Sequence, residues 1–297
     1  MVPSLENLQK SDSDKWDDTE IIRRFKEGIG FPESADEGGR RCVVQICKDT
    51  VVKCVYNADG DIPHSQVLAM KLVSAHTTIP IPRLRRDPIK PSSRWTYLVM
   101  ERIAGSSLAK RWDSLDPKNR KDVIDTIRDY VSQLRKIPTS HPGPVGPSPR
   151  KCYGPMFGGQ RGQGPFADYA ELSEYYNANL SCAAISIPQL KDSKKFDDSV
   201  PLVFCHNNLS MDHILLDNDN RVWIVGWDLA GFYPEWFESV SMLCSVEGKW
   251  MPEPKIWKNI VAEVAGDPMN HGQWMHHIRP TLFQSKYEGR RKDNPPS

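Results

Sequence analysis

The sequence predicts a bilobal α+β fold, with a small β-rich N-lobe followed by a larger, mostly helical C-lobe. Three observations lead there. β-Branched runs at 42–46 and 50–55 and a further strand at 95–101 crowd the first third of the chain. Ile103-Ala104-Gly105 then reads as a hinge, beyond which apolar residues recur at helical spacing. The 297 residues are enough for two lobes with real cores. The expected division is 1–101, an N-lobe carrying an N-terminal helical extension, and 102–297, a C-lobe.

The extension is polar, with Ile21, Ile22 and Phe25 spaced as one helical face. Gly38-Gly39 opens the β-rich part, and Lys48-Asp49 joins the first two runs as a hairpin. A short amphipathic helix over 65–76 carries Val67, Leu68 and Leu72, and Pro80 and Pro82 turn the chain extended after it. In the C-lobe, Asp116-Pro117 starts a helix, the carboxylate as cap and the proline in the first turn. Val123, Ile124, Ile127, Val131 and Leu134 carry its spacing toward Ile137. Residues 138–165 hold seven Pro and seven Gly in 28 positions, which excludes a regular helix or an interior strand. A stretch that long reads as a lid-like segment or pocket lining. A further helix is expected over 168–177, with Tyr169, Leu172 and Tyr176 on one face.

Composition narrows the function classes. Lys plus Arg is 39 against 38 Asp plus Glu, so net charge gives no reason to expect nucleic acid or an acidic membrane as partner. No apolar run approaches the ~18 residues of a membrane span, and the first twenty residues lack the apolar core of a signal peptide. The expected location is cytoplasmic. The basic stretch Arg290-Arg291-Lys292 reads as a solvated tail. Seven cysteines include no C-x-x-C pair, which argues against a zinc knuckle or a thioredoxin-like motif, so they read as packed thiols.

The most informative stretch is Val203-Phe204-Cys205-His206-Asn207-Asn208-Leu209-Ser210-Met211-Asp212-His213-Ile214-Leu215-Leu216-Asp217. A turn at 218–220 follows, then Arg221-Val222-Trp223-Ile224-Val225-Gly226-Trp227-Asp228. This strand–loop–strand–turn–strand pattern resembles the aminoglycoside-phosphotransferase-like (APH-like) family, in the branch common in fungal genomes. That family reads H-G-D-L-x-x-x-N in the loop and D-W-E after the last strand. Thr50-Val51-Val52-Lys53 resembles its phosphate-lysine strand, Ile79-Pro80-Ile81-Pro82 its "IPVP", and Leu98-Val99-Met100-Glu101 its interlobe hinge. Gly164-Pro165-Phe166 and Ala230-Gly231-Phe232-Tyr233-Pro234-Glu235 are further features of that branch. The resemblance implies a protein-kinase-like, APH-like fold.

It also implies where phosphoryl-transfer groups would stand: a base, a metal-binding Asn and Asp, and a lysine steadied by a helical Glu. Here those positions are Asn208, His213, Gly226, Lys53 and Leu68, so four of the five have lost the required group. An amide is no base at neutral pH, and loss of general-base help alone costs ~10²–10⁴ in rate. Mg²⁺ wants hard oxygen ligands, which glycine and imidazole lack. Mg-ATP phosphotransfer is therefore disfavoured.

What is left points to a repurposed enzyme working without metal or other cofactor. His213, Asn208 and His206 are the expected catalytic group, since imidazoles move protons near neutral pH. Lys53, Asp212, Asp228 and Tyr233 are the expected ligand-binding residues. Lys53 has two readings: an anion clamp, or a lysine stranded by the loss of its glutamate. Tyr153, Phe157, Phe166, Tyr169, Tyr175, Tyr176, Phe232, Tyr233 and Trp236 read mostly as core, a subset facing a hydrophobic or aromatic small-molecule ligand in the interlobe cleft. The expected reaction is an isomerase, cyclase or lyase step in secondary metabolism. The competing readings are an inactive pseudokinase-like binding or regulatory protein, and a divergent small-molecule phosphotransferase that uses Asp212 or Asp228 as a substitute.

Overall fold

The computed structural model describes residues 10–30, 42–56, 62–91, 95–193, 195–196, 199–247, 255–266 and 269–284. Gly38-Gly39 and the basic stretch at 290–292 lie outside these residues. In chain order the first elements are α1 (Asp18–Glu27), β1 (Ile29–Gly30), β2 (Val43–Cys47), β3 (Thr50–Tyr56), α2 (Ile62–His76) and β4 (Trp95–Glu101). Then come β5 (Gly105–Ser107), α3 (Leu108–Arg111), α4 (Pro117–Leu134), β6 (Gly143–Pro144), β7 (Cys152–Gly154), β8 (Gly159–Gln163) and α5 (Tyr169–Ser186). The chain continues through β9 (Leu202–Cys205), β10 (Ile214–Asp217), β11 (Val222–Ile224), β12 (Gly231–Pro234), α6 (Phe237–Glu247), α7 (Lys255–Ala265) and α8 (Met269–Gln284). These elements pack as two compact units, one of residues 1–126 with 210–228, the other of 127–209 with 229–297.

The first unit is built on an antiparallel sheet in the order β1-β2-β3-β4. Val43 faces Lys53, and Val52 faces Val99. Strict alternation sends Val44, Ile46, Val52 and Val99 to one face, where α1 covers them with Ile21, Ile22 and Phe25. Ile21 is fully buried, worth roughly 2 kcal/mol of transfer free energy. Asp17 starts α1 by accepting the Glu20 N–H at 2.8 Å. The hairpin over Lys48-Asp49 and the strand at 95–101 form as the sequence implied. In α2 the buried face is Val67, Ala69, Met70 and Val73, with Leu68 and Leu72 only half-buried, so the helix is turned from its expected orientation. A second sheet, β11-β10-β5, carries the 210–228 segment. Gly105, expected in a hinge, is a strand residue opposite Asp217, and a Cβ there would strike the Leu216 carbonyl.

The second unit has an aromatic core. Asp168 caps α5 in this unit, and Asp116 caps α4 from the first unit, as the sequence implied, accepting the Glu171 and Asn119 N–H groups at 2.9 and 2.7 Å. The α5 helix runs to Ser186, beyond the expected Asn177, because Leu180, Ala183 and Ala184 continue its buried face. The Pro/Gly-rich segment folds into β6, β7, a 3₁₀ turn at Pro155–Phe157 and β8. Its Phe157 is fully buried, with the rings of Phe166, Tyr175, Tyr176, Tyr233 and Phe237 all within 6.3 Å of it.

Candidate active site

In the first unit, β3 presents Lys53 on the face opposite Val52 and Cys54. The Lys53 ammonium donates to Asp228 Oδ1 at 2.8 Å, and the two side chains are 16% and 28% exposed. Asp228 sits in the 3₁₀ turn Trp227–Leu229 that follows β11. That turn is pinned by buried Trp227, whose indole N–H donates to the Ile224 carbonyl at 3.1 Å. Burial works to raise the Asp228 pKa, but the Lys53 charge and hydrogen bond, helped by the His213 imidazole, hold it below the usual carboxylate value. The stranded-lysine reading is thereby corrected. Lys53 has a carboxylate partner, supplied by the turn after β11 rather than by α2.

His213 is half-buried at the entry to β10. Its N–H donates to the Ser210 carbonyl at 3.1 Å, its carbonyl accepts from Val225, and its Nδ1 lies 3.3 Å from Ser210 Oγ. Gly226 has φ +84°, a conformation that L side chains rarely adopt. A Cβ built on it would lie 2.7 Å from the His213 Cδ2. The imidazole thus occupies the space that a side chain at 226 would need. Asp212 is half-buried in the adjoining turn.

His206, Asn207 and Asn208 belong to the second unit. His206 is fully buried and Asn207 is 2% exposed. Glu238, on the first turn of α6, accepts the His206 N–H at 2.6 Å and the Asn207 N–H at 3.2 Å. The Asn208 N–H donates to His206 Nδ1 at 3.3 Å. Asn207 has φ +56°, which asparagine tolerates better than most residues, so it can stand where the family motif has glycine. Burial raises the Glu238 pKa to about 7, the two N–H donors offsetting only part of that cost. Tyr233, expected to face a ligand, is 1% exposed and stacks on Phe237 with ring centroids 5.2 Å apart. It is a core residue. Burial and the neighbouring Cys152 push its hydroxyl well above the usual tyrosine pKa.

The structure therefore brings Lys53, Asp228 and His213 together within the first unit, while His206, Asn208 and Tyr233 belong to the second. Sequence reasoning missed two residues, Ser210 beside the imidazole and Glu238 under the loop. Glu238 left a trace, a lone acid among apolar residues in the run from Trp236 to Met242.

The profile of a family described as "Phosphotransferase enzyme family" matches residues 40–256. The chain belongs to the phosphotransferase enzyme family. Among solved structures, the crystal structure of aminoglycoside phosphotransferase APH(4)-Ia superposes with a TM-score of 0.54 at 17% identity, covering 92% of this chain and 91% of that one. The gentamicin–APH(2")-IIa complex gives 0.52 at 10% identity, covering 93% and 85%. At such identities the likeness establishes the protein-kinase-like, APH-like α+β fold and nothing about substrate. No curated protein matches the chain.

A phosphotransferase of this fold uses Mg²⁺, and the residues present do not fit that ion. Gly226 offers no side-chain oxygen, a carboxylate there would collide with His213, and Asp228, two residues on, already holds Lys53. Among the described residues, no group of three or more His, Cys, Asp or Glu could hold a metal. No described helix is long and apolar enough to cross a membrane.

Proposed function

We propose that this member of the phosphotransferase enzyme family does not transfer phosphoryl groups from Mg-ATP. In this reading it binds a hydrophobic or aromatic small molecule beside His213 and acts on it as a metal-free acid–base catalyst, of isomerase, cyclase or lyase type, in secondary metabolism. The single observation carrying the proposal is the fit of the His213 ring into the space a side chain at 226 would need.

The neighbouring groups support the same reading. Lys53 and Asp228 neutralise each other, so the site holds no surplus of positive charge to attract a triphosphate. His213 is half-buried, with Ser210 Oγ at Nδ1 and the Asp228 charge close enough to act on it. An imidazole oriented by a hydroxyl and faced by a carboxylate can take up and return a proton near neutral pH, the imidazolium being stabilised by Asp228. The use of Asp228 as a substitute metal ligand is opposed by its bond to Lys53, which would first have to open. Asn208 and His206 are not required by this reading.

The test is a thermal-shift titration of the purified protein with ATP, with and without Mg²⁺, alongside ³²P transfer from labelled ATP. The expected result is no magnesium-dependent shift and no transfer. A shift of several degrees seen only with both Mg²⁺ and ATP would overturn the proposal, as would transfer of the label to any acceptor.

A further inference from the structure

Register sets Cys42 and Cys54 opposite one another. Val43 faces Lys53 and Val44 faces Val52, so the antiparallel ladder places Cys42 directly across from Cys54. The Cys54 N–H donates to the Cys42 carbonyl at 2.8 Å. Directly opposed residues share a face, and a hydrogen-bonded pair of this kind has its Cα atoms ~5.5 Å apart, inside the ~4.4–6.8 Å range of disulfides. We propose that Cys42 and Cys54 form a peroxide-sensitive thiol pair that closes to a cross-strand disulfide.

Three features favour this pair over the other cysteines. Both thiols are half-buried, within reach of a small oxidant, whereas Cys152, Cys205 and Cys244 are buried. Cys182 is exposed, on α5 in the other unit, and Cys47 is engaged with the Asp49 carboxylate at 3.1 Å. Cys42 lies one residue before the start of β2, so it can make the ~1 Å approach that side-chain bridging needs without breaking the strand. On β4, Tyr97 faces Cys54 across the ladder.

The chemistry balances with hydrogen peroxide as oxidant. One thiol gives up its proton and, as thiolate, attacks a peroxide oxygen; the O–O bond breaks, and the leaving hydroxide takes that proton as water, giving a sulfenic acid. The second thiol attacks that sulfur, expels a second water and forms the S–S bond. The two sulfurs lose two electrons and two protons in all, and the peroxide is reduced. Lys53 projects from the opposite face of the same strand, so the bridge would clamp the hairpin that carries it without covering it.

The experiment is peptide mapping and intact mass of the full chain, reduced and then exposed to hydrogen peroxide. The expected product is about 2 Da lighter, contains a peptide pair joined through Cys42 and Cys54, and returns to starting mass with dithiothreitol. Cys42→Ser and Cys54→Ser should each abolish the pair. Sulfinic acid at either residue without a link, a Cys47–Cys54 link, or a Cys182-linked dimer as sole product would overturn the proposal. The wild-type map decides the matter even if a serine variant fails to fold.

Discussion

Asp228 and Glu238 are two acids under strain from burial, and they resolve it in opposite ways. Asp228 has a lysine at 2.8 Å and stays ionised below its ordinary pKa. Glu238 is 1% exposed and is held by backbone N–H groups, with a smaller contribution from the Arg135 charge, and moves up to about 7. A full opposite charge outweighs desolvation, whereas two peptide dipoles do not. One acid is thereby suited to biasing an imidazole, the other to holding a loop.

Removing the loop's anchor is expected to cost most. Glu238→Ala leaves two buried N–H groups without acceptors and opens a cavity, so it should lower stability by about 3 kcal/mol in urea unfolding. Glu238→Gln keeps an acceptor for both N–H groups and should cost far less. If both variants unfold alike, the anchoring account is wrong.

Glu238 also predicts a pH dependence of similar size. Its folded pKa is raised, so the native state binds the proton more tightly than the unfolded chain. The resulting stability is complete below about 4.5 and is lost as pH rises toward about 7, on the order of 3 kcal/mol in all. Glu238→Gln should flatten that slope. Asp228 works in the reverse sense: its folded pKa is lowered, so its contribution is present above 3.8 and disappears as pH falls through the folded value.

Position 226 gives the next effect. Gly226→Asp combines a disfavoured φ with a clash against His213 and should destabilise by about 2 kcal/mol. Adding His213→Asn should recover the steric part but not the conformational part. Strict additivity of the two substitutions would show that the ring does not fill the space at 226.

The smallest effect concerns the ion pair. A double-mutant cycle of Lys53→Met and Asp228→Asn should give a coupling near 1 kcal/mol, reduced in high salt, because both side chains keep some contact with water. A coupling of zero would remove the charge neutralisation on which the reading of the site leans.

Much of the fold was legible because local chemistry writes it plainly. Asp116 and Asp168 announce their helices, β-branched runs announce β2 and β3, and ordered motifs announce the family. The orientation of α2 was not legible, since apolar residues occur on more than one side of it and only tertiary packing selects Val67, Met70 and Val73. Tyr233 was misjudged for a related reason. An aromatic has the same appearance in sequence whether it lines a pocket or packs among Phe157 and Phe237.

By itself, the order of residues determined that an α+β phosphotransferase scaffold would form, and it put His213 and Gly226 at the positions where the resemblance expects metal ligands, because backbone preferences and side-chain chemistry are local properties. Only the tertiary structure decided that Lys53 would find Asp228, 175 positions away. It alone set the His213 ring against Gly226, and Cys42 across from Cys54. Such pairings depend on strand register and on which turn closes over which strand, and no local pattern in a chain encodes distances between segments that meet only after folding.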